Sequence, residues 1–168
     1  MDTTLPPIVG RAHCFGDNID TDVIISGKHM ISTELADMLP HLFEAIAPGF
    51  NNRVQPGDVI VGGRNFGCGS SRETAPALIK AAGIRAIIAE SFARIFFRNA
   101  INLGLVAVEC PNVSTGVSDG DVVRYDPATG VVENLTTSWR GQGTVLPDFL
   151  VEILLAGGAV EACRRKCT

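Results

Sequence analysis

Gly62-Gly63-Arg64-Asn65-Phe66-Gly67-Cys68-Gly69-Ser70-Ser71-Arg72-Glu73 is the stretch around which the chain is organised. The run Asp58-Val59-Ile60-Val61 leads into it with strand character, and an alanine-rich helical pattern over 75–82 leads out. Its four glycines let the backbone turn tightly and approach a ligand closely. Ser70 and Ser71 then fall at a helix start, where unpaired N–H groups and the macrodipole favour an anion. Arg72 adds a permanent planar cation suited to a carboxylate or phosphate. The stretch reads as an anion-handling loop with a hydroxyl in its middle.

Downstream, Gly83 ends the helix, and Arg85-Ala86-Ile87-Ile88-Ala89 is a short buried strand. Pro76 either begins the helix proper or leaves 71–75 as a separate first turn. Ser91 is set to cap a helix over 92–103, with Phe92, Ile95, Phe96, Ala100 and Leu103 near helical spacing. Gly104 closes it, and Leu105-Val106-Ala107-Val108 follows as a strand. Strand, helix, strand, helix, strand predicts parallel pairing.

Upstream, residues 8–14 read as a first strand, followed by the turn Phe15-Gly16-Asp17-Asn18. Residues 19–25 read as extended, which would put Asp20 and Asp22 on one face. These carboxylates could cap a turn, hold a hard cation or orient an arginine; the glycine and distal glutamate of a calcium loop are missing. Residues 26–33 read as a mobile loop. Ser32 or Thr33 caps a short helix to Leu39, stopped by Pro40, and a second piece covers 41–47 with His41 on its surface. Residues 51–57 form a turn-rich connector. In the last third, strands at 122–125 and 131–132 flank the turn Asp126-Pro127-Ala128-Thr129-Gly130. A strand at 144–146 precedes a helix over 148–155, and Arg164-Arg165-Lys166 end the chain as a frayed tail.

The chain has 168 residues, enough for a single domain over 1–168 with a sizeable core. Net charge is −4 with no long basic or acidic run, which argues against nucleic acid and anionic membrane as main partners. No apolar run approaches the ~18 residues of a membrane span, and no secretory leader is evident. The five cysteines are scattered, with no CxxC pair, so they suggest neither a metal site nor a disulfide framework. The cytoplasm is the expected compartment.

A Walker loop requires a lysine after its last glycine, a dinucleotide fingerprint a third glycine where Arg72 stands, and a nucleophile elbow G-x-S-x-G; none is present. Two readings of Ser70 stay open. Ser70-x-x-Glu73 fits a capping box with no function. Alternatively, amides and Arg72 stabilise a serine alkoxide strong enough to take a weakly acidic proton beside a carboxylate. Cys68 either packs or is a thiol tuned by the helix start.

Gly67-Cys68-Gly69-Ser70-Ser71-Arg72-Glu73 resembles the signature of the aconitase swivel domain. Gly16-Asp17-Asn18-Ile19-Asp20-Thr21-Asp22-Val23-Ile24-Ile25 and Ser91-Phe92-Ala93-Arg94-Ile95-Phe96 resemble two further family segments, in the same order. The length is similar to that of the free-standing small subunits of 3-isopropylmalate dehydratase. The resemblance implies an α/β swivel fold, layered β/β/α, with a parallel strand–helix–strand core and an antiparallel C-terminal part. It implies a two-subunit hydro-lyase that isomerises 2-isopropylmalate and 3-isopropylmalate in leucine biosynthesis. A large catalytic subunit would carry a [4Fe–4S] cluster with one iron open as a Lewis acid, and this chain no cofactor or metal. By the same resemblance Ser70 is the base, Arg72 and Ser71 bind a substrate carboxylate, and Asp22 belongs to the site. Family members that take a third carboxylate carry an arginine in the loop after the Asp-Thr-Asp segment. Here Lys28-His29-Met30-Ile31-Ser32-Thr33 stands there, and Ile31 or Met30 favours an apolar branch, although Lys28 or His29 could meet an anion. The alternatives are a related diacid (2,3-dimethylmalate, citraconate or citramalate, homoaconitate) and a carboxylate-binding module without catalysis.

Overall fold

A computed structural model describes residues 4–167. Seven strands form one mixed sheet in the order β4-β3-β2-β1-β5-β6-β7. The parallel half is β1 (Ile8–Cys14), β2 (Val59–Gly62), β3 (Ala86–Ala89) and β4 (Val106–Glu109). The antiparallel half is β5 (Val122–Tyr125), β6 (Val131–Asn134) and β7 (Arg140–Gln142), joined through the β1–β5 pair. Both halves match the expectation from sequence. β2 and β3 are buried along their whole length, as strands covered on both faces must be.

Eight α-helices accompany the described strands: α1 (Thr21–Ile24), α2 (Leu35–Met38), α3 (Phe50–Arg53), α4 (Thr74–Ala81), α5 (Arg94–Asn102), α6 (Val113–Gly116), α7 (Asp148–Ala156) and α8 (Ala159–Lys166). α4 and α5 are the crossovers of the parallel half and pack on each other; α5 also carries α7 and α8. Pro76 lies in the first turn of α4, where its missing N–H costs nothing. Gly83 follows α4 with φ +103°, as the sequence predicts.

Several elements differ from the sequence reading. Residues 19–25 are not a strand: Asp20 accepts the Asp22 N–H at 2.7 Å and starts α1, so a local cap wins over extension. The expected helix over 41–47 does not form, because Phe43 takes φ +55° and donates its N–H to Ile24 O. α2 starts at Leu35, with Ser32 bonding Glu34 N–H and Asp37 just ahead of it. Ser91 does not cap α5. Residues 91–93 instead bridge to Phe66, and the Ser91 hydroxyl accepts the Asn65 N–H, so the helix starts at Arg94. Residues 144–146 form no strand; Thr144 donates its N–H and its hydroxyl to Glu109 O, and the edge strand is β7. The tail is helical, with Lys166 bonded to Glu152 at 2.9 Å.

Candidate active site

The loop after β2 is fixed before it reaches its serines. Phe66 is fully buried and meets Phe92 and Phe96 edge-on, at 6.1 and 5.5 Å between ring centres. Burying a phenylalanine contributes about 2–3 kcal/mol, so this ring anchors the loop at the C-terminal ends of β2 and β3. Phe66 N–H donates to Ser91 O at 3.0 Å and Ala93 N–H to Phe66 O at 2.9 Å. Gly67 N–H donates to Ile19 O and Thr21 N–H to Cys68 O, both at 2.8 Å. The three segments quoted for the family resemblance are thus laced together, the loop lying between 19–21 and 91–93.

Two glycines are required by this lacing. Gly67 has φ +80°, and a Cβ there would lie 2.1 Å from the Phe96 ring. Gly69 has φ +92°, and a Cβ there would lie 2.4 Å from the Asp20 carboxylate. Burial and the Asp20 carboxylate push the Cys68 thiol up, the opposite of a thiol activated by a helix start.

Past Gly69 the chain emerges into solvent, and Ser70 and Ser71 are exposed. Ser70 O accepts from Thr21 Oγ1 at 3.1 Å and from Arg72 N–H at 2.8 Å. The Ser70 hydroxyl bonds nothing among the described residues. It lines an open cavity of about 440 Å³ with Gly67, Gly69, Ile95, Arg94 and Arg98.

The serines do not sit at the helix start. α4 begins at Thr74, and neither Ser70 nor Glu73 makes the reciprocal cap. Pro76 confines the helix start to its own neighbourhood, and Arg72, ahead of it, turns its guanidinium to Asp22. The loop offers other donors: the N–H groups of Gly69, Ser70 and Ser71 serve no acceptor among the described residues. Successive free amides after left-handed glycines form an anion-binding nest.

Arg72 Nη1 is ion-paired with Asp22 Oδ1, the arginine-orienting role among the readings of that carboxylate. Asp20 takes the turn-capping role. The Arg72 guanidinium lies against Gly27, where a Cβ would stand 3.6 Å from Nη2. The loop expected to set specificity therefore starts at the guanidinium. Its side chains face elsewhere. His29 Nε2 bonds Glu44 at 2.8 Å, His41 Nδ1 bonds the same carboxylate at 3.2 Å, and Lys28 Nζ is 3.9 Å from it. These hydrogen bonds, His41's first and then His29's, hold the Glu44 carboxyl below its usual range. Ile31 is 93 % exposed on the turn that follows. Arg72 and Asp22 meet, with Ser70 and Ser71 next to Arg72 along the chain; Lys28, His29 and Ile31 occupy the adjoining loop, and of these seven residues only Ser70 lines the cavity.

His29, His41 and Glu44 are the one group among the described residues with three metal-ligand atoms within 4.8 Å. The two imidazoles stack at 3.6 Å and 5°, which sets their in-plane lone pairs parallel instead of convergent. The geometry is that of a hydrogen-bonded clasp on the loop. Sequence reasoning missed this clasp, and it missed Arg94 and Arg98. The signal for the arginines was their four-residue spacing beside the third family segment.

Comparison with known proteins gives a consistent picture. Residues 43–113 match the model of the aconitase C-terminal domain. The 3-isopropylmalate dehydratase small subunit 1 of Archaeoglobus fulgidus is 52% identical over 91% of this chain and 94% of its own length. The protein of the same name from Methanopyrus kandleri is 49% identical over 95% of this chain and 94% of its own. The isopropylmalate/citramalate isomerase small subunit of Methanocaldococcus jannaschii is 47% identical over 95% of both chains. The crystal structure of 3-isopropylmalate dehydratase from M. jannaschii superposes with TM-score 0.90 at 42% identity, covering 96% of this chain and 95% of the other.

Proposed function

The chain belongs to the family of 3-isopropylmalate dehydratase small subunits, and on that premise we propose that it is the small subunit of a hydro-lyase interconverting 2-isopropylmalate and 3-isopropylmalate in leucine biosynthesis. The observation that carries the reading is the exposed Ser70 hydroxyl, unpartnered among the described residues and two residues before an arginine that Asp22 holds by an ion pair. Ser70 removes the proton from the carbon next to a substrate carboxylate. Free amides at 69–71 and the nearby Arg72 lower the cost of the alkoxide. A positioned base of this kind contributes about 10²–10⁴-fold. Arg72 and Ser71 take a substrate carboxylate, and Asp22 holds the guanidinium in the plane the carboxylate meets. The hydroxyl on the neighbouring carbon leaves as water, taking a proton from an acid of the large subunit; re-addition of water with the opposite regiochemistry returns that proton to the acid and the Ser70 proton to carbon, which gives the isomer.

The [4Fe–4S] cluster of the reaction belongs to a large subunit. Here Cys14 lies in β1, Cys68 in the glycine-rich loop, Cys110 just past β4, Cys163 in α8 and Cys167 just past it, and no three of them converge among the described residues. This chain therefore supplies the carbon-side base and the carboxylate clamp. Residues 1–168 act as one swivel unit in the cytoplasm, in line with five unpaired cysteines and with the lack, among the described residues, of a helix long and apolar enough to cross a membrane. Ile31, in the loop that starts at Arg72, meets the apolar branch of the substrate, and Lys28 and His29 flank it.

Anaerobic mixing with the cognate large subunit tests the reading. The mixture turns over isopropylmalate and neither subunit does so alone; a mixture that assembles but is inert on isopropylmalate defeats it. The name of the M. jannaschii relative makes citramalate a second substrate to compete in the same assay.

A further inference from the structure

Arg94 and Arg98 stand four positions apart on α5 and so project from one face of it. Both are exposed, and no carboxylate among the described residues pairs with either. Together they form a ridge between two hollows. One is the Ser70 cavity. The other, of about 270 Å³, is mostly apolar, with Phe92, Phe97, Ala107 and Leu146 in its wall. Glu109 reaches its edge, but its carboxylate accepts the Phe92 N–H at 3.3 Å and stays out of ion-pair range of both guanidiniums. Ile95, between the arginines in sequence, is 52 % exposed.

We infer that this face of α5, with Arg94, Ile95 and Arg98, is where the large subunit docks, through a segment that sets carboxylates on the two guanidiniums and an apolar side chain in the hollow beside them. The inference rests on the two-subunit reading above. Two facts fix the occupant. The Ser70 cavity is open, so the partner that completes the site must close it, and Arg94 and Arg98 are its rim on this side. The rim carries two unneutralised cations next to an apolar wall, which is complementary to an acidic and apolar surface.

The test is the affinity between the two full-length subunits, measured anaerobically by titration calorimetry at two salt concentrations. The doubly substituted Arg94→Glu/Arg98→Glu chain weakens assembly about tenfold or more and loses the wild-type salt dependence. Ile95→Lys weakens assembly as well, and the melting temperature of each isolated variant stays at the wild-type value. Unchanged affinity in the double variant overturns the inference. Unchanged affinity with a raised KM for isopropylmalate assigns the guanidiniums to substrate and overturns it too. So does an isolated chain that is a dimer and falls apart on Arg94→Glu/Arg98→Glu, since a second copy then covers the face. A wild-type chain that never binds the large subunit defeats the two-subunit reading itself, a result distinct from these.

Discussion

Arg72 and Asp22 are ion-paired across 50 positions of sequence, and Gly27 lies against the same guanidinium. One arginine thus couples the serine loop, the first turn of α1 and the start of the loop that carries Ile31. Its pairing with Asp22 is partly exposed, at 29 % for the arginine side chain and 58 % for the aspartate, so its worth to stability is small. Its value lies in aiming the fork.

Asp22→Asn separates these two roles. The variant loses less than about 1 kcal/mol of stability, as exposed pairs do. In the assembled enzyme kcat/KM falls by about ten- to a hundredfold, because a clamp misplaced by an ångström misaligns the reacting carbon. Thermal melts and saturation kinetics on one preparation check both, and an unaltered kcat/KM removes Asp22 from the site.

Ser70→Ala deletes a hydroxyl that bonds nothing among the described residues, so folding and assembly with the large subunit are unaffected. Turnover drops by about 10²–10⁴-fold, the range of a lost general base. Retained turnover returns Ser70 to a purely local role.

Gly67→Ala brings a Cβ into the Phe96 ring, 2 % exposed, at a residue with φ +80°. The left-handed backbone and the clash together cost about 2–4 kcal/mol. Gly49→Ala is the control: φ is +73°, but no atom lies within 4 Å of the added Cβ, so only the backbone cost of about 1–2 kcal/mol applies. Urea denaturation of the pair measures the difference.

The Asp58 carboxyl is pushed up by burial, but the Gln55 N–H, His13 and the Arg11 guanidinium outweigh this and hold it below its usual value of 3.8. A carboxyl depressed in the folded state contributes stability above its unfolded pKa and loses it as pH falls through the folded one. Wild-type melting temperature therefore drops below about pH 4 as this group is protonated. Asp58→Asn is less stable at neutral pH and shows a shallower decline over that acid range.

The parallel half of the sheet was legible because its signals are local. Apolar runs at 59–61 and 86–89, punctuated by Gly83 and Gly104, leave few other ways to bury those residues. The order of the three family segments was legible too, since a resemblance is read along the chain.

The sequence alone settled a glycine-rich turn, with its serine pair and arginine, between parallel strands, because backbone φ, apolar periodicity and side-chain chemistry act within a few residues. It misplaced the start of α4 relative to Ser70, the extension of 19–25 and the cap of α5. The causes differed. Arg72 and Ser91 chose partners in distant segments over their own neighbours, whereas Asp20 capped the N–H of Asp22 two residues on. Only the tertiary structure decided that Asp22 reaches Arg72, that His29 and His41 share Glu44, and that Arg94 and Arg98 face no acid among the described residues. Those are meetings of side chains brought together by chain closure, and spacing along a sequence does not encode them.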